Sequence, residues 1–265
     1  ECTKQNIKPI IGVDFYLAPR HRTEKQSGVD NRWFRLVLLA ENTVGYKNLI
    51  KLVTAGYPEG FYYKPRIDRD LLERYHEGLI AIIPSFAGDV PRALEHNDSQ
   101  KAAERLSWYQ SVFDAEHLYL ELTHHPEITG HEEAMEQIKQ FAEAHDVELV
   151  AAHDVYYLSP DDKRARDVLM AVQTNRAVEE SGFDGGDEDF SFLTTAECEK
   201  RFSNEPRALE NVASIIDRCT LEITLEEWKF PDYIVRSGRS YDDELEHLAW
   251  SGLRDKGLAD TKEYQ

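Results

Sequence analysis

The sequence predicts an α/β domain built on a parallel sheet or barrel, followed by a helical appendage. Two observations carry this. Up to residue 158, short runs rich in β-branched and aromatic residues alternate with runs whose apolar residues recur at helical spacing. After residue 158 the strand pattern stops and capped helical segments continue. With 41% hydrophobic and 11% aromatic residues, the 265-residue chain can bury a sizeable core.

The elements follow in order. Residues 9–17 (PIIGVDFYL) and 34–40 (FRLVLLA) read as strands, with a polar, partly basic loop at 18–32 between them. Tyr46, Leu49, Ile50 and Val53 share a helical face, which predicts a helix over 44–55. Residues 78–83 (GLIAII) form a short buried strand. Residues 101–113 form a helix with Ala103, Leu106 and Tyr109 on one face. A strand at 117–122 (HLYLEL) precedes a helix at 131–145 striped by Met135, Ile138 and Ala142, and 147–152 gives a fifth strand.

Beyond the strands, Ser159 followed by Pro160, Asp161 and Asp162 opens a helix whose apolar face is Val168, Leu169 and Val172. Residues 179–189 (EESGFDGGDED) form a solvated loop. Thr194 and Glu197 make a capping box. Residues 206–219 are helical, with Leu209, Val212, Ala213 and Ile216 on one face. Residues 221–225 are extended, 228–235 form an irregular connector, and Ser240 opens a last helix.

Composition excludes several functions. A net charge of −19 gives no broad basic footprint for nucleic acid, and also fits a high-salt habitat. No apolar run reaches membrane-spanning length, and residues 1–8 form no secretory signal. Cys2, Cys198 and Cys219 lie far apart, which speaks against a zinc ribbon or disulfide scaffold and for a reducing cytoplasm. No GK[ST], GxSxG or HExxH motif occurs, and residues 184–189 lack the register of a calcium loop. Residues 61–66 (FYYKPR) mix aromatic and basic side chains, as a single-strand stacking site would; a packed connecting loop is the plainer reading. His124 and His125 read as solvent-facing, His153 as the donor or acceptor of a structural hydrogen bond, and Glu121 as a group orienting its neighbours.

Ordered segments carry a family resemblance: residues 8–17 (KPIIGVDFYL), 36–52 (LVLLAENTVGYKNLIKL), 59–72 (EGFYYKPRIDRDLL), 77–83, 119–122 (YLEL), 149–158 (LVAAHDVYYL), 166–174 (RDVLMAVQT), 206–219 and Phe230–Pro231. In order and spacing they resemble the alpha subunit of bacterial DNA polymerase III, at its PHP region. The resemblance implies a distorted, TIM-like (βα)7 barrel. The family's early HxH motif and Asp-His pair are missing here. The chain is therefore expected to lack the first barrel strands, and both its ends are expected to be internal to a longer protein. On this reading 1–158 is the partial barrel, 159–235 its helical appendage, and 236–265 the start of the connection to thumb and palm.

PHP domains gather His, Asp, Glu and sometimes Cys at strand ends to hold metal ions. This sequence departs from that set. Asp14 stands at a glutamate position, Arg35 at a histidine position, Ser85 at a Cys or His position, and Asp154–Val155–Tyr156 where the family has Asp-x-His. These five residues, Asp14, Arg35, Ser85, Asp154 and Tyr156, are expected to be a vestigial metal site, with Arg35 neutralising Asp14 and Asp154 in a buried ion pair. No catalytic residue and no cofactor is expected in this stretch, whereas the parent polymerase would use magnesium. The implied partners are the rest of the alpha subunit and a proofreading exonuclease subunit. The alternative is a metal-dependent phosphoesterase or 3′–5′ exonuclease.

Overall fold

The computed structural model describes residues 2–175, 188–224, 233–235 and 237–262. Most of the expected 179–189 loop, and Phe230–Pro231, lie outside them. The chain divides into two compact units, Glu1–Glu222 and Ile223–Gln265. The first runs well past the barrel–appendage boundary expected at residue 158.

The first unit is built on a six-stranded sheet: β1 (Gly12–Leu17), β2 (Phe34–Ala40), β3 (Arg66–Ile67), β4 (Leu79–Ile83), β5 (Leu118–Leu122) and β6 (Glu148–Ala151). Their order is β3-β1-β2-β4-β5-β6. The expectation of a parallel sheet is corrected: β2 runs antiparallel to both β1 and β4, while β4, β5 and β6 are mutually parallel. A parallel pair needs a crossover, usually a helix. Between β1 and β2 the polar loop has no helical period and supplies none. The strand count also rises from five to six, because β3 is only two residues long and too short to show a pattern.

Helices α1 (Thr43–Gly56), α2 (Arg69–Tyr75), α3 (Asp89–Glu95), α4 (Ser99–Val112) and α5 (His131–Ala144) surround the main core. α2 and α3 went unpredicted; at seven residues each, neither spans enough turns to show a stripe. The Asn42 side chain caps α1 by accepting from Val44 and Gly45, and Asp68 caps α2 by accepting from Leu71. Alternation places Leu36, Leu38, Ala81, Ile83, Leu118 and Leu120 in this core. The opposite sheet face carries a second cluster, Ile80, Tyr119 and Val150, packed with Ile215 and Cys219.

The loops beside β1 are held by Arg66, whose fully buried guanidinium donates to the carbonyls of Gly60, Asp30, Arg22 and Glu24. The 61–66 segment is therefore anchored from its basic end, while Phe61 and Tyr63 face solvent.

After β6 come α6 (Lys163–Thr174), α7 (Thr195–Arg201) and α8 (Pro206–Arg218). The capping box at Thr194 and Glu197 is present. Two faces differ from expectation. On α6 the stripe Val168, Leu169 and Val172 is exposed, and Asp167 and Ala171 are buried instead. On α8 the buried residues are Ala208, Asn211 and Ile215, one position off the predicted face. Asn211 explains the shift, because its amide donates to Glu148 Oε2 at 2.7 Å and to the Leu149 carbonyl at 2.8 Å. Residues 221–224 join no strand. In the second unit, α9 (Tyr241–Asp255) is capped by the Ser240 hydroxyl.

Candidate functional site

Strand alternation puts Asp14, Arg35 and Glu121 on the sheet face opposite the main core. In register, Tyr16 faces Arg35 and Asp14 faces Val37, so Asp14 and Arg35 are diagonal neighbours across β1 and β2. Ser85 follows β4 and Asp154 follows β6, at the C-terminal strand ends where open α/β sheets usually place their sites.

Arg35 is the hub. Its Nε donates to Asp14 Oδ2 at 2.9 Å, its Nη2 lies 2.8 Å from the same oxygen, and Asp154 Oδ1 is 3.7 Å away. Burial works against the guanidinium charge. The hydrogen bond and field of Asp14, with Asp154 and Glu121 beyond, outweigh it and hold the proton more firmly than usual. The expected ion pair is thus in place, with one correction. It is partly exposed rather than buried: side-chain exposure is 23% for Arg35, 46% for Asp14 and 22% for Asp154.

Ser85 and Tyr156 take other roles. The buried Ser85 donates to Glu121 Oε1 from its backbone N–H at 3.0 Å and from its hydroxyl at 2.9 Å. The same hydroxyl lies 3.0 Å from Thr123 Oγ1. Burial pushes the Glu121 carboxyl up to about 7; the Ser85 hydrogen bonds oppose the rise and the Asp154 charge adds to it. Tyr156 is half-exposed, with the Arg166 guanidinium 4.3 Å from its ring centre and Phe190 at 5.1 Å.

The Ser85–Glu121–Thr123 chain was legible only in part, since a strand-end glutamate suggests a hydrogen-bond role but not its partner. A buried histidine group was missed. His125 is fully buried, which overturns the solvent-facing reading; its Nδ1 lies 2.9 Å from Glu127 Oε1. His153 stacks on it at 5.3 Å and bonds the Ser191 carbonyl through Nε2 at 2.9 Å. His131 approaches at 5.5 Å with its Nε2 on the Thr123 carbonyl at 3.2 Å. Burial lowers His131 and His153 from the usual imidazole value. Among the described residues, no three His, Cys, Asp or Glu side chains converge as a metal ion would need. The five expected positions do not fit a metal cluster: a permanent cation sits on Asp14 and beside Asp154, and the Ser85 hydroxyl is bound to Glu121.

No helix among the described residues is long and apolar enough to cross a membrane.

Comparison with known proteins adds the following. The PHP domain family matches residues 1–125. The chain is 35% identical over 258 residues to the DNA polymerase III subunit alpha of Borreliella burgdorferi, covering 96% of this chain and 22% of that protein. It is 35% identical over 280 residues to the DNA polymerase III subunit alpha of Aquifex aeolicus, covering 98% and 24%. For the Thermus aquaticus subunit the figures are 29% over 264 residues, 96% and 21%. The chain thus spans less than a quarter of the length of these relatives.

Proposed function

This chain is related over nearly its whole length to bacterial DNA polymerase III alpha subunits, and from that kinship we propose that it is the PHP portion of a replicative polymerase chain, working as scaffold and docking surface. DNA synthesis, with its magnesium ions, belongs on this reading to other parts of the parent protein, in the cytoplasm. The partners of this portion are the rest of the alpha subunit and a proofreading exonuclease subunit. The six-stranded sheet then belongs to a distorted, TIM-like (βα)7 barrel, the distortion including the antiparallel β2. Residues 159–235 are its helical appendage and 236–265 lead toward thumb and palm.

The position of Arg35 carries the proposal. A guanidinium keeps its charge at any cellular pH and cannot ligate a cation. Here it is hydrogen-bonded to Asp14 and lies 3.7 Å from Asp154. The ion pair does the cohesive work that metals do in a hydrolytic PHP site, and the site becomes vestigial.

The second reading is a metal-dependent phosphoesterase or 3′–5′ exonuclease. It is favoured by three carboxylates, Asp14, Glu121 and Asp154, acting on one cation. Metal analysis of the purified chain, with an assay on a 3′-mismatched primer in added manganese, separates the two. The scaffold reading expects no stoichiometric metal, no cleavage, and a melting temperature indifferent to chelator. Bound zinc or manganese together with cleavage would overturn it.

A further inference from the structure

Outside the Arg35 site, a cavity of about 670 Å³ lies where β2 begins, beside α3 and α4. Its lining inverts the character of the chain. The sequence holds 50 acidic residues against 31 basic ones. Yet the cavity presents four permanent cations, Arg32, Arg92, Lys101 and Arg105, and a single carboxylate, Asp98. A neighbouring cavity of about 430 Å³ shares Lys101 and Arg105 but balances its cations with Asp68, Asp70, Asp89 and Glu104. Of these two cavities, only the first carries a positive excess.

Only part of that excess is neutralised within the protein, the buried Asp89 carboxylate interacting with Arg105. Asp98 already accepts the Lys101 backbone N–H as the cap of α4. Arg92 reaches Glu95 only at 4.0 Å. Arg32 and Lys101 make no side-chain ion pair among the described residues. Arg105 is pre-positioned, donating to the Asp89 carbonyl with its guanidinium 4.7 Å from the Phe34 ring centre. The half-buried Trp33, held edge-on by Tyr16 at 5.5 Å, adds an aromatic surface.

We propose that this cavity binds a nucleoside polyphosphate. Guanidinium forks match phosphate oxygens, and an aromatic ring suits a base. The volume falls within the roughly 300–1,000 Å³ of small-molecule sites. A chain charge of −19 disfavours a long nucleic-acid track, because a strand leaving the patch would meet acidic surface. The inference is independent of the replicase assignment.

The test is titration calorimetry of the purified chain with ATP, inorganic triphosphate and an oligothymidylate, at low salt without divalent ions. The same titrations are run on the double variant Arg92→Glu/Lys101→Glu. One ATP equivalent is expected to weaken at least tenfold in that variant, while Arg92→Lys/Lys101→Arg retains it and thermal melting is unchanged in both. Inorganic triphosphate should bind more weakly than ATP, and Trp33→Leu should erase that difference. ATP binding unaltered by charge reversal would overturn the proposal. So would triphosphate binding as tightly as ATP, or an oligonucleotide displacing ATP at equal phosphate concentration.

Discussion

Ser85 gives Glu121 two hydrogen bonds, from its backbone N–H at 3.0 Å and from its hydroxyl at 2.9 Å, and both fall on the same carboxylate oxygen. The pair joins the ends of β4 and β5 on the face that also carries Arg35. Because burial lifts Glu121 to about 7 from an ordinary value of 4.5, the folded state prefers the neutral acid. A raised folded pKa contributes stability that is complete below pH 4.5 and lost as pH rises through 7. The loss by pH 8 is on the order of 3 kcal/mol. Glu121→Gln should remove this dependence and be more stable than the parent above pH 7. Urea midpoints of both proteins at pH 5 and pH 8 check it; parallel pH profiles would sink it.

Arg35→Ala leaves Asp14 and Asp154 facing each other without their cation. A fully buried pair would lose about 3–5 kcal/mol and a surface pair about 0–1 kcal/mol. With Arg35 partly exposed, a loss of about 1–2 kcal/mol is expected. Arg35→Ala/Asp14→Asn should recover part of it. A chemical melt of the three proteins measures the coupling; no recovery in the double variant would show the pair to be energetically idle.

Arg66 ties four carbonyls from two loops with one planar group. Lysine has three donors on a point charge and cannot reproduce the fork. Arg66→Lys should cost about 3 kcal/mol, and the loop before β2 should become the first site of limited proteolysis. An unchanged digestion pattern would contradict the stapling role.

Gly45 opens α1 against the start of β4. A Cβ there would stand 1.8 Å from the Gly78 carbonyl oxygen, and Gly78 itself holds φ at +71°. Gly45→Ala should destabilise by about 3 kcal/mol through overpacking, despite the better helix propensity of alanine. Thermal denaturation decides; a gain in melting temperature would mean that helix and strand can separate freely.

The α/β character and the long helices were readable because α4 and α5 carry full stripes, Leu106 with Tyr109 and Met135 with Ile138. Strand direction was not readable, since alternation is the same in either sense. The two-residue β3 and the seven-residue α2 and α3 are shorter than their own periods allow to be seen. The pairing of Arg35 with Asp14 followed from the family's metal-ligand positions they occupy, but their degree of exposure leaves no periodic signal in the sequence. His125 was misread because adjacent histidines give no hint that Phe86, Phe190 and His153 close over one of them.

Asn211 of α8 has a consequence for synthesis. Its amide seals the outer carbonyl of Leu149 on β6, and α8 fills the second face of the sheet with Ile215. A ribosome makes β6 roughly 60 residues before it makes this helix, about 3–12 s earlier at ordinary rates of synthesis. During that interval the nascent strand has an open border and a bare apolar flank, the condition that invites mispairing between chains. The helical appendage is thus the closing step of the domain's birth, and a truncation before residue 206 should yield aggregates rather than a smaller folded sheet.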